Sequence, residues 1–337
     1  MVMQKLINDP DELVVEMLEG ILLAHGDQLK SVSDDLHSLV RADAPVAGKV
    51  AIVTGGGSGH LPLFLGYVGE GLLDGVGVGD VFASPTPGQL LEVTKAVDSG
   101  AGVLYLYGNY GGDLMNFDVA GELAELEGIS TVTVVGHDDV ASASKGEEEY
   151  RRGIAGLFML YKVAGAKAAA GASLQEVADT TERAQSGLRS YGVALSPMTL
   201  PSVGKPTFEL PIGKMELGMG IHGEPGIGHS DLLSADAVAD KLVDAILADM
   251  DVPSGSSVAV LLNGLGSTPG EELYVLYRRV HTRLTDAGIT VHRKWIGEFV
   301  TSLEMAGVSL SIMKLDEELT TLVDAGCRTP FFEQAGA

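Results

Sequence analysis

The sequence predicts an α/β protein of two lobes, with mainly parallel sheets flanked by helices and a ligand cleft at the carboxyl ends of the strands. Short apolar runs rich in β-formers alternate with helical patterns, which is the order that builds parallel sheets covered on both faces. Several of these runs end in glycine-rich loops that carry a polar side chain. The chain has 337 residues, enough for two domains of ordinary size.

The composition indicates an ordered protein without a basic face. Hydrophobic residues make up 45% of the chain and charged residues 20%, so a full core can form and disorder is not expected. Glycine occurs 45 times, about twice its usual share of roughly 7%. This excess indicates tight strand-to-helix turns or, at many single positions, a plain compositional bias. The net charge of −24 argues against nucleic acid or an anionic membrane as a partner.

The cysteine count and the N-terminus bear on the compartment. Cys327 is the single cysteine, so the chain can form neither an internal disulfide nor a cysteine-based metal site, and no metal site is expected. A reducing cytoplasm is the expected location. The N-terminal segment MVMQKLINDPDEL lacks the basic region and apolar stretch of a signal peptide. No apolar run reaches the roughly 18 residues of a membrane span.

The first half of the chain predicts one helix followed by alternating strands and helices. Asp9, Pro10 and Glu12 have the order of an N-cap, a first helical residue and a capping box. Apolar residues then recur at helical spacing from Leu13 to Leu22. The later segments predict strands at Lys49–Thr54, Gly102–Tyr107 and Thr131–Val135 and helices at Pro87–Asp98 and Leu114–Leu126.

The second half repeats this pattern. Residues 148–190 predict two successive helices, the second opened by a capping box from Ser173 to Glu176. Four prolines between Pro197 and Pro211 place a boundary near 190–200, so we predict one lobe at 1–190 and another at 191–337. The remaining elements are strands at Glu216–Ile221, Ser257–Leu262, Thr290–Trp295 and Val308–Leu315, and helices that start at Ser234 and Pro269.

The first loop that can carry chemistry is Gly55-Gly-Gly-Ser-Gly-His60. A glycine run after a strand exposes backbone N–H groups that can bind hydroxyl or phosphate oxygens, and His60 can donate or accept a proton. The loop is not a Walker A motif, because no Gly-Lys-Ser/Thr follows, and His60 occupies the final glycine position of a dinucleotide fingerprint. From these residues alone, a tight turn with a surface histidine is the alternative.

The second loop, Gly108-Asn-Tyr-Gly-Gly-Asp113, joins a strand to a helix. The helix dipole favours the ionised form of Asp113 near the helix N-terminus. An ionised carboxylate beside a substrate hydroxyl is a candidate general base. Aspartate is also a common helix cap, and taken alone the capping role is the more frequent one.

The third loop, Gly220-Ile-His-Gly-Glu-Pro-Gly226, presents His222 on a glycine-flanked turn that a ligand can approach closely. A metal site is not indicated, because the His-Glu-x-x-His spacing is absent and His229 is seven residues away. Taken alone, a loop histidine more often has no chemical role. A fourth glycine loop, Asn263–Pro269, is either a plain strand-to-helix connection or a segment that helps to close the cleft or supports a partner.

Taken together, the motifs match one known family in content and order. The matching segments are RADAPVAGKVAIVTGGGSGH (Arg41–His60), DVFASPTP (Asp80–Pro87), NYGGD (Asn109–Asp113), GIHGEPGI (Gly220–Ile227) and the loop Asn263–Pro269. They resemble the K subunit of dihydroxyacetone kinases. The resemblance runs from KLINDPDE (Lys5–Glu12) to the final helix, and the GGGSGH and GIHGEPG pair at this separation is highly specific.

The resemblance implies a role for each loop. The histidine of GIHGEPG, His222, is expected to add to the carbonyl of a small ketose such as dihydroxyacetone and form a hemiaminal. Asp113 is expected to act as base on the hydroxyl that is phosphorylated, and His60 to hydrogen-bond the substrate and assist proton transfer. The residues expected to line the substrate site are Gly57, Ser58 and Gly59. The family also implies a homodimer of two-lobed subunits with a place in glycerol and carbohydrate catabolism.

Covalent capture has a physical rationale for so small a substrate. A triose has about six heavy atoms, and at a ceiling of ~1.5 kcal/mol per atom noncovalent contacts alone must be very efficient. A bond from a neutral imidazole to the carbonyl adds affinity and orientation. It also rejects glycerol, which has no carbonyl to attack.

The chain departs from the family pattern at two positions. Leu61 stands where family members commonly have the acid of GGGSGHEP, and Gly108 stands where they commonly have a lysine before NYTGD. Because an acid and a base near the substrate are both absent, we predict a roomier and less polar pocket. Leu61 and Gly108 are therefore candidate specificity residues, and a four-carbon ketose such as erythrulose is the first alternative to dihydroxyacetone.

No segment of the chain resembles a nucleotide site, so we expect it to bind no cofactor itself. The resemblance implies a separate L subunit that carries ADP or ATP with Mg²⁺; in the phosphotransferase version, phosphoenolpyruvate and a third subunit recharge the ADP. The alternative function is that of a K-like sensor or coactivator, which binds the ketone covalently without kinase activity. The presence of His60 and Asp113 favours the kinase, whereas Leu61 and Gly108 keep the sensor open.

Overall fold

The computed structural model describes residues 5–336. Its α-helices are α1 (Leu13–His25), α2 (Pro87–Val97), α3 (Gly111–Leu126), α4 (Leu157–Ala169), α5 (Leu174–Ser186), α6 (Ala235–Asp249), α7 (Gly270–Asp286) and α8 (Glu317–Asp324). Its strands are β1 (Leu29–Ser31), β2 (Ser38–Arg41), β3 (Ala51–Ser58), β4 (Gly75–Val81), β5 (Val103–Gly108), β6 (Thr131–Gly136), β7 (Leu188–Ala194), β8 (Thr199–Leu200), β9 (Lys205–Pro206), β10 (Lys214–Leu217), β11 (Gly228–Asp231), β12 (Ser257–Gly264), β13 (Thr290–Gly297), β14 (Gly307–Leu315), β15 (Cys327–Arg328) and β16 (Glu333–Gln334). Short 3₁₀ helices lie at Phe64–Tyr67 and Glu148–Tyr150.

The chain divides into two units by the density of its internal contacts. The unit that carries His60, here the His60 unit, contains the described residues up to Val135, Leu160–Arg183 and the described residues from Asp324 onward. The unit that carries His222, here the His222 unit, contains Gly136–Met159 and Ala184–Val323. Each unit is therefore assembled from more than one stretch of the chain, and the contiguous lobes at 1–190 and 191–337 stay a prediction.

Local capping explains where several helices begin. Thr86 and Gln89 form a full capping box at the start of α2, and the side chain of Ser234 accepts the N–H of Ala237 at the start of α6. Helix α1 begins at Leu13 rather than at Pro10. The side chain of Asp9 accepts the N–H of Asp11 at 3.0 Å, so this aspartate organises a turn ahead of the helix.

The sheet of the His60 unit has the strand order β1-β2-β4-β3-β5-β6. Strand β3 is parallel to both β4 and β5, and β2 is antiparallel to β1 and β4. The chain leaves β3 for β4 on one side and then returns to β5 on the other side. The carboxyl ends of β3 and β5 therefore form a topological switch point, where open α/β sheets bind ligands.

The glycine run of the first motif belongs to β3 and not to a loop. The sequence predicts a strand that ends at Thr54, whereas β3 continues to Ser58 and pairs with β4 from Val53 to Ser58. The ladder from β3 to β5 covers only Ala51–Val53, so the two strands separate along the glycines.

The sheet of the His222 unit has the order β11-β10-β7-β14-β12-β13 and is mixed rather than mainly parallel. Strands β12 and β13 are parallel because helix α7 connects them, whereas every other pair is antiparallel. Strands β13 and β14 follow one another without a helix, and so do β10 and β11, which reverses their direction. The expected α/β class with parallel strands and flanking helices is confirmed.

Each unit has a core between its sheet and its helices. In the His60 unit, apolar side chains of α2 and α3 pack on the sheet, with Leu90 and Phe117 at most 1% exposed. In the His222 unit, α6 and α7 cover strands β12 and β14, with Leu242 and Val280 fully buried. Among the described residues, no helix is long and apolar enough to cross a membrane.

Candidate functional site

His60 follows β3 and is held in a buried aromatic setting. Its side chain is 1% exposed. Its ring stacks on Phe82 with 4.9 Å between centroids and an interplanar angle of 20°. Phe64 meets it edge-on at 6.2 Å. These contacts fix the plane of the imidazole, so His60 is not the surface histidine of the alternative interpretation.

Three residues before His60 were expected to line the substrate site, and each has a defined environment. The hydroxyl of Ser58 donates to the carbonyl of Gly79 at 2.7 Å, so it is available to a ligand only as an acceptor. Gly59 has a φ of +105°, which favours glycine and turns the chain toward His60. Gly57 lies under the segment that carries Phe82, where a Cβ atom would come within 2.7 Å of backbone.

Asp113 lies in the first turn of α3 and is 5% exposed. The N-cap of this helix is Tyr110, so the alternative in which Asp113 caps α3 is wrong. Burial raises the pKa of the Tyr107 phenol, and the negative charge of Asp113 adds to that shift. Burial also raises the pKa of the Tyr161 phenol, which is hydrogen-bonded to Thr54 at 2.8 Å. Both phenols therefore stay neutral beside the carboxylate.

The segment Asp80–Pro87 lies against both the His60 and the Asp113 regions. Phe82 stacks on His60, and the hydroxyl of Ser84 lies 2.6 Å from the position that a Cβ atom of Gly112 would occupy. The carbonyl of Pro85 accepts the side-chain amide of Asn116 at 2.8 Å. This segment therefore connects the end of β3 with the start of α3. Sequence reasoning assigned it no role, although it is one of the motifs that carry the family resemblance.

Both candidate specificity residues lie in the His60 unit, after strand β3 and at the end of strand β5 respectively. Leu61 is partly buried and directly follows His60. Gly108 is buried at the end of β5, and its carbonyl accepts the N–H of Tyr110 at 2.9 Å. An acid at the first position and a lysine at the second would each bring charge to the carboxyl ends of β3 and β5. Their absence leaves this edge of the sheet less polar.

An open cavity of about 530 Å³ also lies in the His60 unit and borders Asp80 and Ser84. It touches none of the proposed catalytic side chains. The carboxylates of Glu19, Asp34 and Asp35 line it. Their negative charge disfavours a ligand that carries phosphate, so we do not assign the substrate or the phosphate donor to this cavity.

His222 lies in the loop between β10 and β11, and several buried groups hold that loop. The N–H of Gly226 donates to Glu216 at 2.9 Å, and the guanidinium of Arg152 donates to the carbonyl of Gly218 at 2.9 Å. The hydroxyl of Ser302 donates to the carbonyl of the residue before His222 in a short hydrogen bond. The loop is therefore anchored at its start, middle and end.

The imidazole of His222 has a carboxylate partner within its own motif. Its Nδ1 lies 3.1 Å from Oε1 of Glu224, and its backbone N–H donates to Oε2 at 3.0 Å. Burial opposes the ionisation of Glu224, but the hydrogen bond and the positive charge of His222, together with the charge of Arg152, outweigh it and lower the pKa of the carboxyl to about 2. Sequence reasoning missed Glu224, although it lies two residues after His222.

The Asn263–Pro269 loop has a supporting role within the His222 unit. The amide of Asn263 donates to the carbonyl of Val300 at 2.8 Å and accepts the N–H of Phe299 and of Val300. The residues that it fixes lead directly to Ser302, which holds the His222 loop. The loop does connect strand β12 to helix α7, and a role in closing the cleft or supporting a partner stays a prediction.

The histidines of the His222 unit do not combine into a metal centre. His229 pairs with Glu216 in a short contact, whereas His222 pairs with a different carboxylate, that of Glu224. Within residues 5–336, no group of three or more histidine, cysteine or acidic side chains is arranged to hold a metal ion.

Comparison with protein families and curated proteins gives a consistent result. The sequence model of the family described as the Dak1 domain matches residues 19–331. The chain is 44% identical over 331 residues to "PTS-dependent dihydroxyacetone kinase 2, dihydroxyacetone-binding subunit DhaK" of Listeria innocua, covering 98% of this chain and 99% of that one. It is also 44% identical to "D-erythrulose kinase" of Mycolicibacterium smegmatis, covering 99% of this chain and 57% of that protein.

Solved structures show the same fold. The "Dihydroxyacetone kinase operon co-activator Dha-DhaQ" matches with a TM-score of 0.89 and 30% identity, covering 97% of this chain and all of that one (100%). The dihydroxyacetone kinase from C. freundii, solved with AMP-PNP and Mg²⁺, matches with a TM-score of 0.88 and 32% identity. That match covers 98% of this chain and 61% of the kinase.

Proposed function

Because this chain belongs to the Dak1 domain family, we propose that it is the ketose-binding subunit of a dihydroxyacetone-type kinase. It captures a small ketone as a hemiaminal on His222 and presents a terminal hydroxyl for phosphorylation. The observation that carries this proposal is the set of side chains able to transfer protons or attack a carbonyl in the two units. A fixed, buried His60 and the carboxylate Asp113 flank a switch point in one unit, and a carboxylate-paired His222 lies in the other.

The proposed capture step uses the imidazole as a nucleophile. The lone pair of one ring nitrogen of His222 forms a bond to the carbonyl carbon, and the π pair moves to the carbonyl oxygen. That oxygen takes a proton from water, and the ring returns the proton of its other nitrogen to solvent. Asp113 then accepts the proton of the terminal hydroxyl as that oxygen forms a bond to the phosphorus of the donor, and the bond from this phosphorus to the remainder of the donor breaks and releases it. His60 hydrogen-bonds the substrate and assists proton transfer.

The capture step is tested with a ketose labelled with carbon-13 at the carbonyl. On binding, the signal of this carbon should move from the ketone region to the tetrahedral region of the NMR spectrum. His222→Ala should abolish the shifted signal, because the nucleophile is removed. If the shifted signal survives in this variant, the hemiaminal assignment is incorrect.

We propose that the phosphate donor lies on a separate L subunit, which binds ADP or ATP with Mg²⁺. The naming of the Listeria innocua relative as a binding subunit of a PTS-dependent kinase supports this assignment. In that version, phosphoenolpyruvate is the ultimate donor. We further propose a cytoplasmic homodimer that acts in glycerol and carbohydrate catabolism.

The substrate is proposed to be dihydroxyacetone or a four-carbon ketose, and Leu61 and Gly108 are proposed to determine which of these ketoses is preferred. The two curated relatives named above are equally similar to this chain, and their names point to different ketoses. We expect erythrulose to be turned over in preference to dihydroxyacetone when both enantiomers are compared with the triose. Leu61→Glu combined with Gly108→Lys should shift the preference toward the triose. A clear preference of the unaltered protein for dihydroxyacetone would count against this assignment.

A second candidate function is a covalent ketone sensor, favoured by the structural similarity to the co-activator Dha-DhaQ. Such a protein needs His222 but neither a general base nor a phosphate donor. Phosphoryl transfer to a panel of ketoses, with and without an added L partner, separates the two functions. Ketone binding without turnover under both conditions would identify the sensor, whereas turnover that depends on the partner would identify the kinase.

A further inference from the structure

The carboxylate of Glu224 contacts His222 at two points. Oε1 lies 3.1 Å from Nδ1 of the ring, and Oε2 accepts the backbone N–H of the same residue at 3.0 Å. The backbone carbonyl of Glu224 also accepts the N–H of Gly220 at 3.3 Å. The carboxylate therefore has a fixed position relative to the imidazole, because it is tied to the backbone of the residue whose ring it contacts.

The surroundings of Glu224 keep it ionised. Burial opposes its ionisation, but the hydrogen bond from His222 and the charge of Arg152 lower the pKa of the carboxyl, so it is a carboxylate near neutrality. An ionised carboxylate is an acceptor only. In a neutral imidazole one nitrogen carries the proton and the other a lone pair. The hydrogen bond therefore requires the proton to be on Nδ1, which leaves the lone pair on Nε2.

The local sequence and packing provide space for this carboxylate. A Cβ atom on Gly220 would lie 2.0 Å from Oε2 of Glu224 and 2.7 Å from Nη1 of Arg152. No larger residue fits at this position without displacing one of these two groups. Arg152 is itself held by Asp139 at 2.7 Å and by the carbonyl of Gly218 at 2.9 Å. The pair of Glu224 and Arg152 is thus built into the loop rather than placed on its surface.

We propose that Glu224 is a positioning residue for the covalent step, which holds His222 in the tautomer with the proton on Nδ1 so that Nε2 attacks the ketone. This inference rests on the proposed function. As the bond from Nε2 to the carbonyl carbon forms, the π pair moves to oxygen and takes a proton from water. The ring then carries a positive charge until its Nδ1 proton leaves to solvent, and the adjacent carboxylate stabilises that charge. The same division of labour operates between the aspartate and the histidine of serine protease triads.

A purely structural role for Glu224 makes a different prediction. If its function were only to tie the loop together through backbone N–H groups, its loss would change stability but not the distribution of protons on the ring. The tautomer of His222 is therefore the decisive readout, and it is measured in the ligand-free full chain by nitrogen-15 NMR of the histidine ring.

The test compares Glu224→Gln and Glu224→Asp with the unaltered protein. In the unaltered protein the Nδ1-protonated tautomer should predominate. In Glu224→Gln the amide can donate as well as accept, so the Nε2-protonated form should appear, and the rate of adduct formation with labelled ketose should fall roughly ten- to a hundredfold. Glu224→Asp keeps the charge but has a shorter reach, so it should give intermediate values.

Glu317→Gln is the matched control, because it removes the same charge from an exposed position at the start of α8. It should leave the tautomer and the adduct rate unchanged. Thermal unfolding shows whether each variant is folded, and Glu224→Asp carries the test if Glu224→Gln is not. A His222 tautomer that is unchanged in the folded Glu224 variant overturns the inference. Failure of the unaltered protein to form any adduct refutes the proposed function instead. The two failures are distinguishable, because the tautomer is measured without ligand and does not depend on adduct formation.

Discussion

Replacing Gly57 by alanine should destabilise the His60 unit, because the space beside this residue is already filled. A Cβ atom would lie 2.7 Å from Cα of Phe82 and from the backbone nitrogen of Ala83. These are backbone atoms of a segment in which Phe82 already has a φ of +58°, so they cannot move independently. Overpacking of this kind costs typically about 1–3 kcal/mol. Relief of the clash must displace Phe82, whose ring stacks on His60 at 4.9 Å.

The measurement is the free energy of unfolding from denaturant titration, followed by ketose phosphorylation with an added L partner. Gly20→Ala serves as the control, because Gly20 is an exposed interior residue of α1 and no atom lies within 4 Å of the added methyl group. It should stabilise the protein by about 0.5–1 kcal/mol through the higher helix propensity of alanine. If Gly57→Ala is as stable as the unaltered protein, the packing argument is refuted. If Gly57→Ala is destabilised but its turnover is unchanged, the packing around Gly57 contributes to stability and not to the catalytic role of His60.

Two further changes test the electrostatics of the His222 unit. Arg151 is fully buried and donates to both oxygens of Asp249 at 2.8 and 2.6 Å. Arg189 also pairs with Asp249, so the carboxylate keeps a partner in Arg151→Ala, and this variant should lower the unfolding free energy by about 2–3 kcal/mol in denaturant titrations. A loss in the range of an exposed pair, below about 1 kcal/mol, would contradict this. Burial raises the pKa of Asp139 from 3.8 to about 6, so its protonated form favours the folded state. This stabilisation is present below pH ~4, is lost as the pH rises through ~6, and amounts to about 3 kcal/mol. Relative to Asp139→Asn, the unaltered protein should therefore lose that stability between pH ~4 and ~7, and a pH-independent difference would show that Asp139 does not titrate there.

The elements that the sequence predicts well are those whose signal is local. Helices α6 and α7 show apolar residues at helical spacing and recognisable starts at Ser234 and Pro269, and both begin at the following residue. The α/β class follows from the alternation of such segments. The mixed pairing of the His222 sheet does not follow from it, because strand direction depends on which neighbours meet in space.

Strand β4 shows why part of the His60 sheet is not evident from the sequence. Its residues, GVGVGDV, contain three glycines, and glycine is depleted in strands. The structure gives the reason for this composition. A Cβ atom on Gly75 would lie 2.5 Å from Val93, and one on Gly77 would lie 2.8 Å from Leu90, both on helix α2. Gly75 and Gly77 are required by the close approach of helix and sheet, which no single-sequence propensity registers.

The candidate site also has parts that the local sequence reveals and parts that depend on contacts between distant residues. His60, Asp113 and His222 are evident from the motifs that carry them. The groups that hold them in place are not, because they come from distant parts of the chain: Phe82 for the ring of His60, and Ser302 for the loop of His222. Glu224 is an exception, since it lies inside the GIHGEPG motif. The spacing of a carboxylate two residues from a histidine was the available signal.

The structure separates the glycines into two classes. The sequence alone attributes their abundance equally to tight turns and to compositional bias. Gly20 and Gly270 are exposed and have no atom within 4 Å of the place where a Cβ would stand, so they tolerate replacement sterically. Gly57 and Gly220 instead stand against the groups that orient His60 and His222, where a methyl group would displace backbone in one case and the Glu224 carboxylate in the other. The glycines of the two motifs therefore act by admitting close neighbours that position the histidines, and their chemical importance lies in the packing they permit as much as in the backbone they expose.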